Sequence, residues 1–515
     1  MQQFCLILFR AAILGAIPIF GLCSASDDTG FSAFVADVSA DFERAVDNGQ
    51  VPGAAVAIVD RDGVLWQSTF GHHPNDSERS ITSETIFSLQ SISKNYTAVA
   101  VMLAVQEGKL DLDVPIKSYL PDFKVNTPFP ENPMEMITLR HLLSHTAGFT
   151  HEAPVGNNFN AASPSFDAHV ASIAETWLRF PVGSRYAYSN LGIDLAGFIL
   201  QEVAGIPFET YLQKRLLNPI GADQGFVDTP VHHGKCAQCT GGHHPLFTEL
   251  PDYIPLTASG GVRASLDDAA HYVRFHLNRG TVDGRQLIAP ELLDEIYRPT
   301  HREPAFGDHT VFPEHLYHGM GTYSFKEADT YGIGHTGGGF GFTASMRWLP
   351  EYGVGKVILY NSGADPLAHL ELGWDMLARM IESGLVERLE GIKQSKAAAS
   401  FAAIPRSAPN GNDQPKIPGE KAVAEGRLLE AQGVHRPVFD GGFKLKDSIE
   451  QCLDCIKIEK LDGKVVIHHG LPEPESLIRH AEGLYFAKRS GELLDLRKDL
   501  PVWRSIAYRP LERAD

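Results

Sequence analysis

The chain has 515 residues, more than one ordinary core accommodates, so we expect two domains. Its 43% apolar and 21% charged residues are typical of a globular protein and argue against a disordered or fibrous one. The formal net charge of −18 argues against a nucleic-acid partner, which requires a basic face.

The first 25 residues are predicted to be a secretory signal peptide. Arg10 precedes the apolar run Ala11–Leu22, and small residues follow it. The run is shorter than the roughly 20 apolar residues of a membrane span. We therefore predict an exported protein, periplasmic or secreted, with no stable membrane span. A buried N-terminal helix is the alternative interpretation.

Residues 27–394 are predicted to form the first domain. The runs Ala54–Val59 and Val64–Trp66 flank a polar turn and predict a β-hairpin. Apolar periodicity predicts helices at Ser91–Glu107, Leu191–Val203 and Leu266–Asn278.

Strand patterns return near the end of this domain. Phe342–Leu349 and Gly355–Tyr360 flank a turn, and a long amphipathic helix is predicted for Pro366–Gly391. Strands at both ends with helices between them predict an α+β fold. It is an antiparallel sheet flanked by helices, with an inserted helical lobe.

The remaining chain is predicted to be a linker followed by a small domain. Residues 395–420 are rich in Ala, Ser, Pro, Gly and Asn, which favours a linker. Residues 421–515 contain short alternating segments such as Lys464–His468, which indicate a β-rich accessory domain.

The first chemical motif is S-x-x-K, formed by Ser91 and Lys94 at the start of a predicted helix. Residues three apart share one helix face, so the Lys94 amine can lie beside the Ser91 hydroxyl and help remove its proton. Alone the motif is weak, because ordinary residue usage produces about one or two matches in a chain of this length.

The second motif is Y-x-N, formed by Tyr188 and Asn190 just before a predicted helix. A tyrosine oxygen near Lys94 can act as general base for Ser91 or as acid for the leaving group. Asn190 can donate a hydrogen bond to a substrate carbonyl. A surface tyrosine followed by an N-cap asparagine is the alternative interpretation.

The third motif is His335-Thr336-Gly337-Gly338, directly before a predicted strand. Glycines let a substrate backbone approach closely, and a backbone N–H here can complete an oxyanion hole with that of Ser91. The alternative is a simple glycine-rich turn. A dinucleotide site is not expected, because the G-x-G-x-x-G spacing is absent.

A cluster of histidines and cysteines occupies residues 232–244 and leaves two alternatives open. Cys236 and Cys239 form one C-x-x-C pair, and Cys452 and Cys455 form a second. In an exported protein these favour disulfides, within or between the pairs. The same cysteines with His243 have spacing suited to a structural zinc ion. No other cofactor is expected.

In this order the three motifs resemble the serine β-lactamase and DD-peptidase superfamily. The branch is that of class C β-lactamases, D-alanyl-D-alanine carboxypeptidases, D-aminopeptidases and related esterases, and the resemblance covers residues 30–390. Further segments carry it: Val51–Ala54, Thr85–Phe87, Gly108–Asp113, Thr138–Gly148 and Gly260–Gly261. The last domain loosely resembles the lipocalin-like accessory barrels of some relatives.

The resemblance implies a role for each motif residue. Ser91 is the acylated nucleophile, Lys94 and Tyr188 transfer protons, and Asn190 contacts the substrate carbonyl. The opposite wall and the oxyanion hole are expected from His335, Thr336, Gly337 and the backbone N–H groups of Ser91 and Gly338. The substrate is then a small molecule or short peptide that carries an amide or ester bond.

One departure from the family pattern concerns His335, because β-lactamases of this branch have lysine there. Histidine is mostly neutral near pH 7, so we expect the site to bind a substrate carboxylate less strongly than a site with lysine would. We therefore expect a DD-peptidase-like or esterase-like serine hydrolase. The alternatives are a true β-lactamase, a non-catalytic penicillin-binding sensor and a metal-dependent hydrolase. Residues 150–180 and 225–258 shape the pocket but carry no signature that names the substrate.

Overall fold

The computed structural model describes residues 28–162, 165–229, 236–251, 253, 255–302, 317–328, 330–363 and 372–386, and the segments of residues 433–510 that form or flank the strands given below. The predicted signal peptide and linker, and also Cys452 and Cys455, lie outside the described residues.

The described helices surround a central sheet. They are α1 (Asp28–Asp47), α2 (Ser93–Gln106), α3 (Leu139–Leu143), α4 (Phe166–Ile173), α5 (Asn190–Ala204), α6 (Phe208–Leu212), α7 (Asn218–Ile220), α8 (Thr257–Gly260), α9 (Leu266–Leu277), α10 (Pro290–Tyr297) and α11 (Met376–Glu382). Short 3-10 turns occur at Gln90–Ile92, Ile116–Ser118 and Pro133–Glu135, and a π-helical segment occurs at Gln213–Leu217.

The strands fall into one large sheet, one barrel and several short pairs. They are β1 (Gly53–Asp60), β2 (Val64–His73), β3 (Asp76–Ser80), β4 (Phe87–Ser88), β5 (Phe226–Val227), β6 (Phe247–Glu249), β7 (Val262–Ala264), β8 (Thr281–Val282), β9 (Arg285–Gln286), β10 (His301–Arg302), β11 (Tyr317–His318), β12 (Tyr323–Glu327), β13 (Thr330–Gly339), β14 (Phe342–Leu349), β15 (Val354–Tyr360), β16 (Gly433–Pro437), β17 (Lys444–Leu445), β18 (Ile456–Leu461), β19 (Lys464–His468), β20 (Glu475–Ala481), β21 (Leu484–Ala487), β22 (Leu493–Asp495), β23 (Val502–Trp503) and β24 (Ile506–Pro510).

The large sheet is antiparallel, in the order β10-β11-β12-β13-β14-β15-β1-β2-β3. Both of its faces are covered, and alternate residues of β1 enter different clusters. Ala55 and Val59 join the core under the helical lobe, whereas Val56 and Ile58 join the core under α1 and α11. Burial on both faces explains the unbroken apolar run that predicted this strand. The predicted α+β class is confirmed.

The helix α2 crosses the centre of the molecule. Its residues from Ser93 to Ala104 are all buried, including the charged Lys94. A helix that is enclosed on every side has no polar face, which matches its apolar composition. The turn that leads into α2 lies next to β13, which is an inner strand of the large sheet.

The helix predicted for Pro366–Gly391 needs correction. Within the described part of that range only Met376–Glu382 forms a regular helix. Gly373 and Gly384 have φ angles of +72° and +66°, which interrupt an α-helix on either side. Residues 364–371 and 387–391 lie outside the described residues.

The C-terminal strands close into an antiparallel barrel, in the order β16-β18-β19-β20-β21-β22-β23-β24. Its core contains Ile456, Ile458, Ile467, Tyr485 and Leu494. Eight strands enclose an interior that side chains can fill. The β-rich character expected of this region is confirmed, whereas the predicted boundary at residue 421 lies outside the described residues.

No single helix among the described residues is long and apolar enough to cross a membrane. The pair Asn190–Ala204 and Phe208–Ile220 meets that criterion only jointly, with a bend of 78° between the two.

Candidate active site

Ser91 lies in the 3-10 turn Gln90–Ile92, which leads directly into α2. The helix start predicted at Ser91 is therefore two residues early, because Gln90 has a φ of +50° and α2 begins at Ser93. Lys94 follows in the first turn of α2, and its Nζ donates a hydrogen bond to Ser91 Oγ over 3.0 Å. The S-x-x-K spacing thus brings the amine to the hydroxyl.

Lys94 is fully buried although it carries an ionisable amine. Burial lowers the pKa of Lys94, and the nearby carboxylates of Asp194 and Glu152 raise it. Burial has the larger effect, so the pKa falls to about 7. Its Nζ also donates to the carbonyl of Ser259 over 2.8 Å. An amine with a pKa near 7 is partly neutral at physiological pH, so Lys94 can accept the proton of the Ser91 hydroxyl.

Asp194 on α5 fixes the segment that carries this carbonyl. Its carboxylate accepts two backbone N–H groups of α8 over 2.9 Å and the Ser259 hydroxyl over 2.6 Å. His169 Nε2 lies 3.3 Å from the same carboxylate. Burial lowers the pKa of His169, but Asp194, together with the Val155 carbonyl and Glu152, raises it by more, so the net shift is upward. Asp194 was not predicted from the sequence motifs. Its signal was one aspartate in the otherwise apolar stretch Leu191–Leu200.

Tyr188 lies just before α5 and faces Lys94, whose Nζ is 5.0 Å from the ring centre. The ring of His145 packs 4.5 Å from that of Tyr188. The backbone N–H of Ser189 donates to His145 Nδ1 over 3.2 Å, so a neutral His145 carries its proton on Nε2. Burial lowers the pKa of His145 well below its ordinary value, which keeps the ring neutral.

Asn190 is the first residue of α5, and Ser189 rather than Asn190 is the N-cap. Its Nδ2 donates to Glu152 Oε1 over 3.0 Å, and its Oδ1 is buried with no partner among the described residues. An ionised carboxylate only accepts hydrogen bonds, so this contact assigns the orientation of the amide. We expected Asn190 to donate a hydrogen bond to a substrate carbonyl. Only its second Nδ2 hydrogen is available for this contact.

Glu152 is fully buried beside these groups and was not singled out from the sequence. Its Oε1 also receives Asn158 Nδ2 over 2.6 Å and lies 2.7 Å from His151 Nδ1. No local pattern signalled Glu152, because its burial results from the packing of a loop onto α5. The contacts make Glu152 the residue that orients Asn190.

His335 lies on β13 with only 2% of its surface exposed. Its Nδ1 donates to the carbonyl of Thr336, which leaves Nε2 as an acceptor. Burial lowers the pKa of His335 well below its ordinary value, and the charge of Lys94 lowers it further. The ring stacks obliquely 4.4 Å from Tyr323 and 6.5 Å from Tyr188. The neutral side chain expected from the sequence agrees with this environment.

The two glycines of the third motif differ in their surroundings. A Cβ on Gly337 would lie 2.1 Å from the carbonyl oxygen of Leu89, so no side chain fits between β13 and the turn that carries Ser91. A Cβ on Gly338 would meet nothing within 4 Å, and Gly338 is exposed. Gly337 therefore permits the close approach, and Gly338 borders open space beside Ser91.

Of the two predicted C-x-x-C pairs, only the first lies among the described residues, and it forms a disulfide. Cys236 and Cys239 are joined as a disulfide. Disulfide sulfurs are not thiolates, so this pair as it stands supplies no zinc ligand. The backbone N–H of His243 donates to the carbonyl of Gly341 over 3.0 Å. No group of three His, Cys, Asp or Glu residues suited to a metal ion occurs in the described part of the chain.

Several known proteins are similar to this chain in sequence or in fold. The model of the Beta-lactamase family matches residues 38–377. Protein flp of Staphylococcus aureus (strain COL) is 22% identical over 326 residues, which cover 63% of this chain and 62% of that protein. Esterase EstB of Burkholderia gladioli is 28% identical over 233 residues, which cover 41% of this chain and 58% of that protein. The matches thus span less than two thirds of either relative.

Solved structures with a similar fold include an octameric penicillin-binding protein homologue from Pyrococcus abyssi, with a TM-score of 0.56 and 19% identity over 91% of this chain and 95% of that one. The structure of SurE matches with a TM-score of 0.58 and 22% identity over 93% of this chain and 99% of that one. At these identities the likeness shows the fold.

Proposed function

Because the chain belongs to the β-lactamase family of serine hydrolases, we propose that it hydrolyses ester or amide bonds through an acyl-enzyme on Ser91. The observation that carries the proposal is the hydrogen bond between Lys94 Nζ and Ser91 Oγ, at an amine with a pKa of about 7. A hydroxyl becomes an effective nucleophile when such a base removes its proton.

The positions of Ser91, Lys94 and Tyr188 support the following course of the proposed reaction. Ser91 Oγ attacks the substrate carbonyl carbon while its proton passes to the amine of Lys94. The backbone N–H groups of Ser91 and Gly338 stabilise the oxyanion. Tyr188, beside Lys94, relays the proton to the departing alcohol or amine. Water then attacks the acyl-enzyme, and the same groups return the proton to Ser91.

The environment of His335 favours esters and amides without a carboxylate on the leaving-group side. A neutral ring that presents an acceptor cannot pair with a carboxylate, whereas it can accept a hydrogen bond from an N–H or a hydroxyl. The similarity to Esterase EstB supports the same preference. We therefore rank ester hydrolysis above D-alanyl peptide cleavage and above β-lactam hydrolysis.

A fluorophosphonate probe tests the nucleophile. We expect stoichiometric labelling that the Ser91→Ala substitution abolishes and that chelators leave unchanged. Ser184→Ala, at an exposed serine with only a local backbone contact, is the matched control and should label normally. Equal labelling of the Ser91→Ala protein would show the proposal to be wrong.

A panel of substrates tests which class of bond the protein hydrolyses. Kcat/KM should be highest for p-nitrophenyl esters and lower for D-alanyl peptides and nitrocefin. Stoichiometric acylation with no turnover of any of these compounds would instead indicate a binding or sensor protein.

We further propose that the protein acts outside the cytoplasm. The leader-like pattern of residues 1–25 and the disulfide between Cys236 and Cys239 both support this location. Mass spectrometry of the cell fractions tests it: mature protein lacking the leader, with this disulfide intact, is expected in the exported fraction. Full-length protein with free thiols in the cytoplasm would contradict it.

A further inference from the structure

The C-terminal region contacts both loops that were predicted to shape the pocket and that lack a sequence signature. On one side it contacts the loop of residues 150–180. On the other side β17, which precedes the barrel strand β18, pairs with β6 in the loop of residues 225–258. The C-terminal region therefore borders the catalytic cleft along two separate loops.

A buried polar contact at this interface involves Glu492, which directly precedes β22 of the barrel. Only 3% of its side chain is exposed. Glu492 Oε2 accepts a hydrogen bond from Thr150 Oγ1 over 3.0 Å, and Oε1 pairs with Arg179 Nη1 over 3.1 Å. A buried carboxylate that accepts from a hydroxyl and pairs with a guanidinium is costly to disturb, because removing it takes a buried acceptor away from both groups.

From Thr150 the contact continues to the second catalytic motif. The carbonyl of Thr150 accepts a hydrogen bond from Ser189 Oγ over 2.6 Å, and Ser189 stands between Tyr188 and Asn190. The backbone N–H of Asn190 donates to the carbonyl of His151 over 3.1 Å. Two hydrogen bonds through Thr150 therefore connect Glu492 to Ser189, the residue between Tyr188 and Asn190.

Aromatic packing reinforces the same interface. Trp177 lies edge-on to His480 at 5.3 Å and to Phe486 at 6.1 Å, and both of those residues belong to barrel strands. Phe159 packs against the core of the barrel. The loop thus has two aromatic anchors on the barrel, Phe159 and Trp177, which lie between Thr150 and Arg179 in the sequence.

The second loop reaches the turn that follows the third motif. Beyond β6, Leu250 packs against Gly341, which follows β13 and which also accepts the backbone N–H of His243. The pairing of β6 with β17 therefore connects the C-terminal region to the turn between β13 and β14.

From these contacts we propose that the C-terminal barrel is part of the catalytic unit. Glu492 is a positioning residue that holds the loop of residues 149–152, and through it Tyr188 and Asn190, in the geometry for turnover. The inference rests on the proposed hydrolase function for its kinetic consequences, but its structural consequence can be measured without activity.

The experiment combines hydrogen exchange with kinetics on the full chain. Glu492→Ala should speed amide exchange in residues 149–160 and 188–192. It should also lower kcat/KM for the best p-nitrophenyl ester by about tenfold, as expected when a hydrogen bond to a buried charge is lost. The rate of labelling of Ser91 by a small fluorophosphonate should change less than twofold, because Ser91 and Lys94 lie on other elements.

Two more variants separate positioning from general destabilisation. Glu492→Gln keeps an acceptor for Thr150 and should recover part of the lost kcat/KM. Thr150→Val removes the hydroxyl donor, and its effect should not add to that of Glu492→Ala. Glu459→Gln is the matched control, because Glu459 is a partly exposed barrel carboxylate that pairs within the barrel with Lys457 and His468.

The outcomes are distinguishable. Faster exchange confined to the barrel, a kcat/KM within twofold of the parent, or an equal loss in Glu459→Gln would overturn the positioning role. Absence of labelling and turnover in the parent protein would instead overturn the hydrolase function, and the exchange data would still decide whether Glu492 orders the loop. If Glu492→Ala does not fold, Glu492→Gln and Thr150→Val provide the same comparison.

Discussion

Asn190 donates its side-chain amide to Glu152 over 3.0 Å, and Glu152 has no exposed surface. One of the two Nδ2 hydrogens is therefore already engaged within the protein, and a substrate carbonyl can use only the other. The remaining oxygen of the amide is buried with no partner among the described residues. Glu152 thus determines which atoms of Asn190 a substrate can contact, and its charge also acts on Lys94.

Glu152→Gln should lower kcat/KM about tenfold, because a hydrogen bond to a buried charge is worth more than one between neutral groups. The loss of its charge also removes an influence that raises the pKa of Lys94, so the acid limb of the kcat/KM profile should move to lower pH. Steady-state kinetics from pH 5 to 9 measure both effects. An unchanged profile would show that Glu152 does not act on the amine.

The pKa of Lys94 predicts the pH dependence of the parent protein. Below about 7 the amine holds a proton and cannot take one from Ser91, so kcat/KM should fall as pH falls through that value. Lys94→Arg, with a guanidinium that stays charged, should lose about 100-fold or more in kcat. Lys214→Arg, on an exposed surface, is the control. Activity that stays constant from pH 5 to 9 would exclude Lys94 as the base.

His335→Lys should change the substrate preference. An ammonium at this position can pair with a carboxylate, so the ratio of nitrocefin to p-nitrophenyl acetate turnover should rise about tenfold. The neutral control His335→Gln should leave that ratio within about threefold. Both ratios come from parallel assays on one preparation, so losses of folded protein cancel. A lysine variant with the ratio of the parent protein would contradict the role of His335 in selection.

Asp194→Asn should destabilise the fold. The carboxylate is buried and accepts three hydrogen bonds at α8, and the amide would point a donor at one of those donors. We expect a decrease of about 3 kcal/mol in the free energy of unfolding. Asp167→Asn, at an exposed site in the first turn of α4, should cost less than about 1 kcal/mol. Urea denaturation compares the two, and similar midpoints would rule out this role of Asp194.

The Ser91–Lys94 pair could be predicted from the sequence, because its geometry depends only on residues that are close together in the chain. A spacing of three residues places Lys94 beside Ser91 wherever a helix starts near them. In the same way, an unbroken apolar run identified β1 and helical patterns identified α5 and α9, with errors of no more than one residue at their ends. The long helix predicted for Pro366–Gly391 was wrong, because apolar periodicity does not register two glycines with positive φ.

The sequence by itself indicated the proposed nucleophile, its neighbouring amine and the neutral character expected of His335, because residue type and spacing carry that information. Only the tertiary structure decided which distant groups act on them. Glu152, Asp194 and Glu492 come from a loop, a helix and the barrel, and they matter because burial makes each charge strong and each hydrogen bond directional. Burial is a property of the whole packed chain, so no local pattern could indicate it.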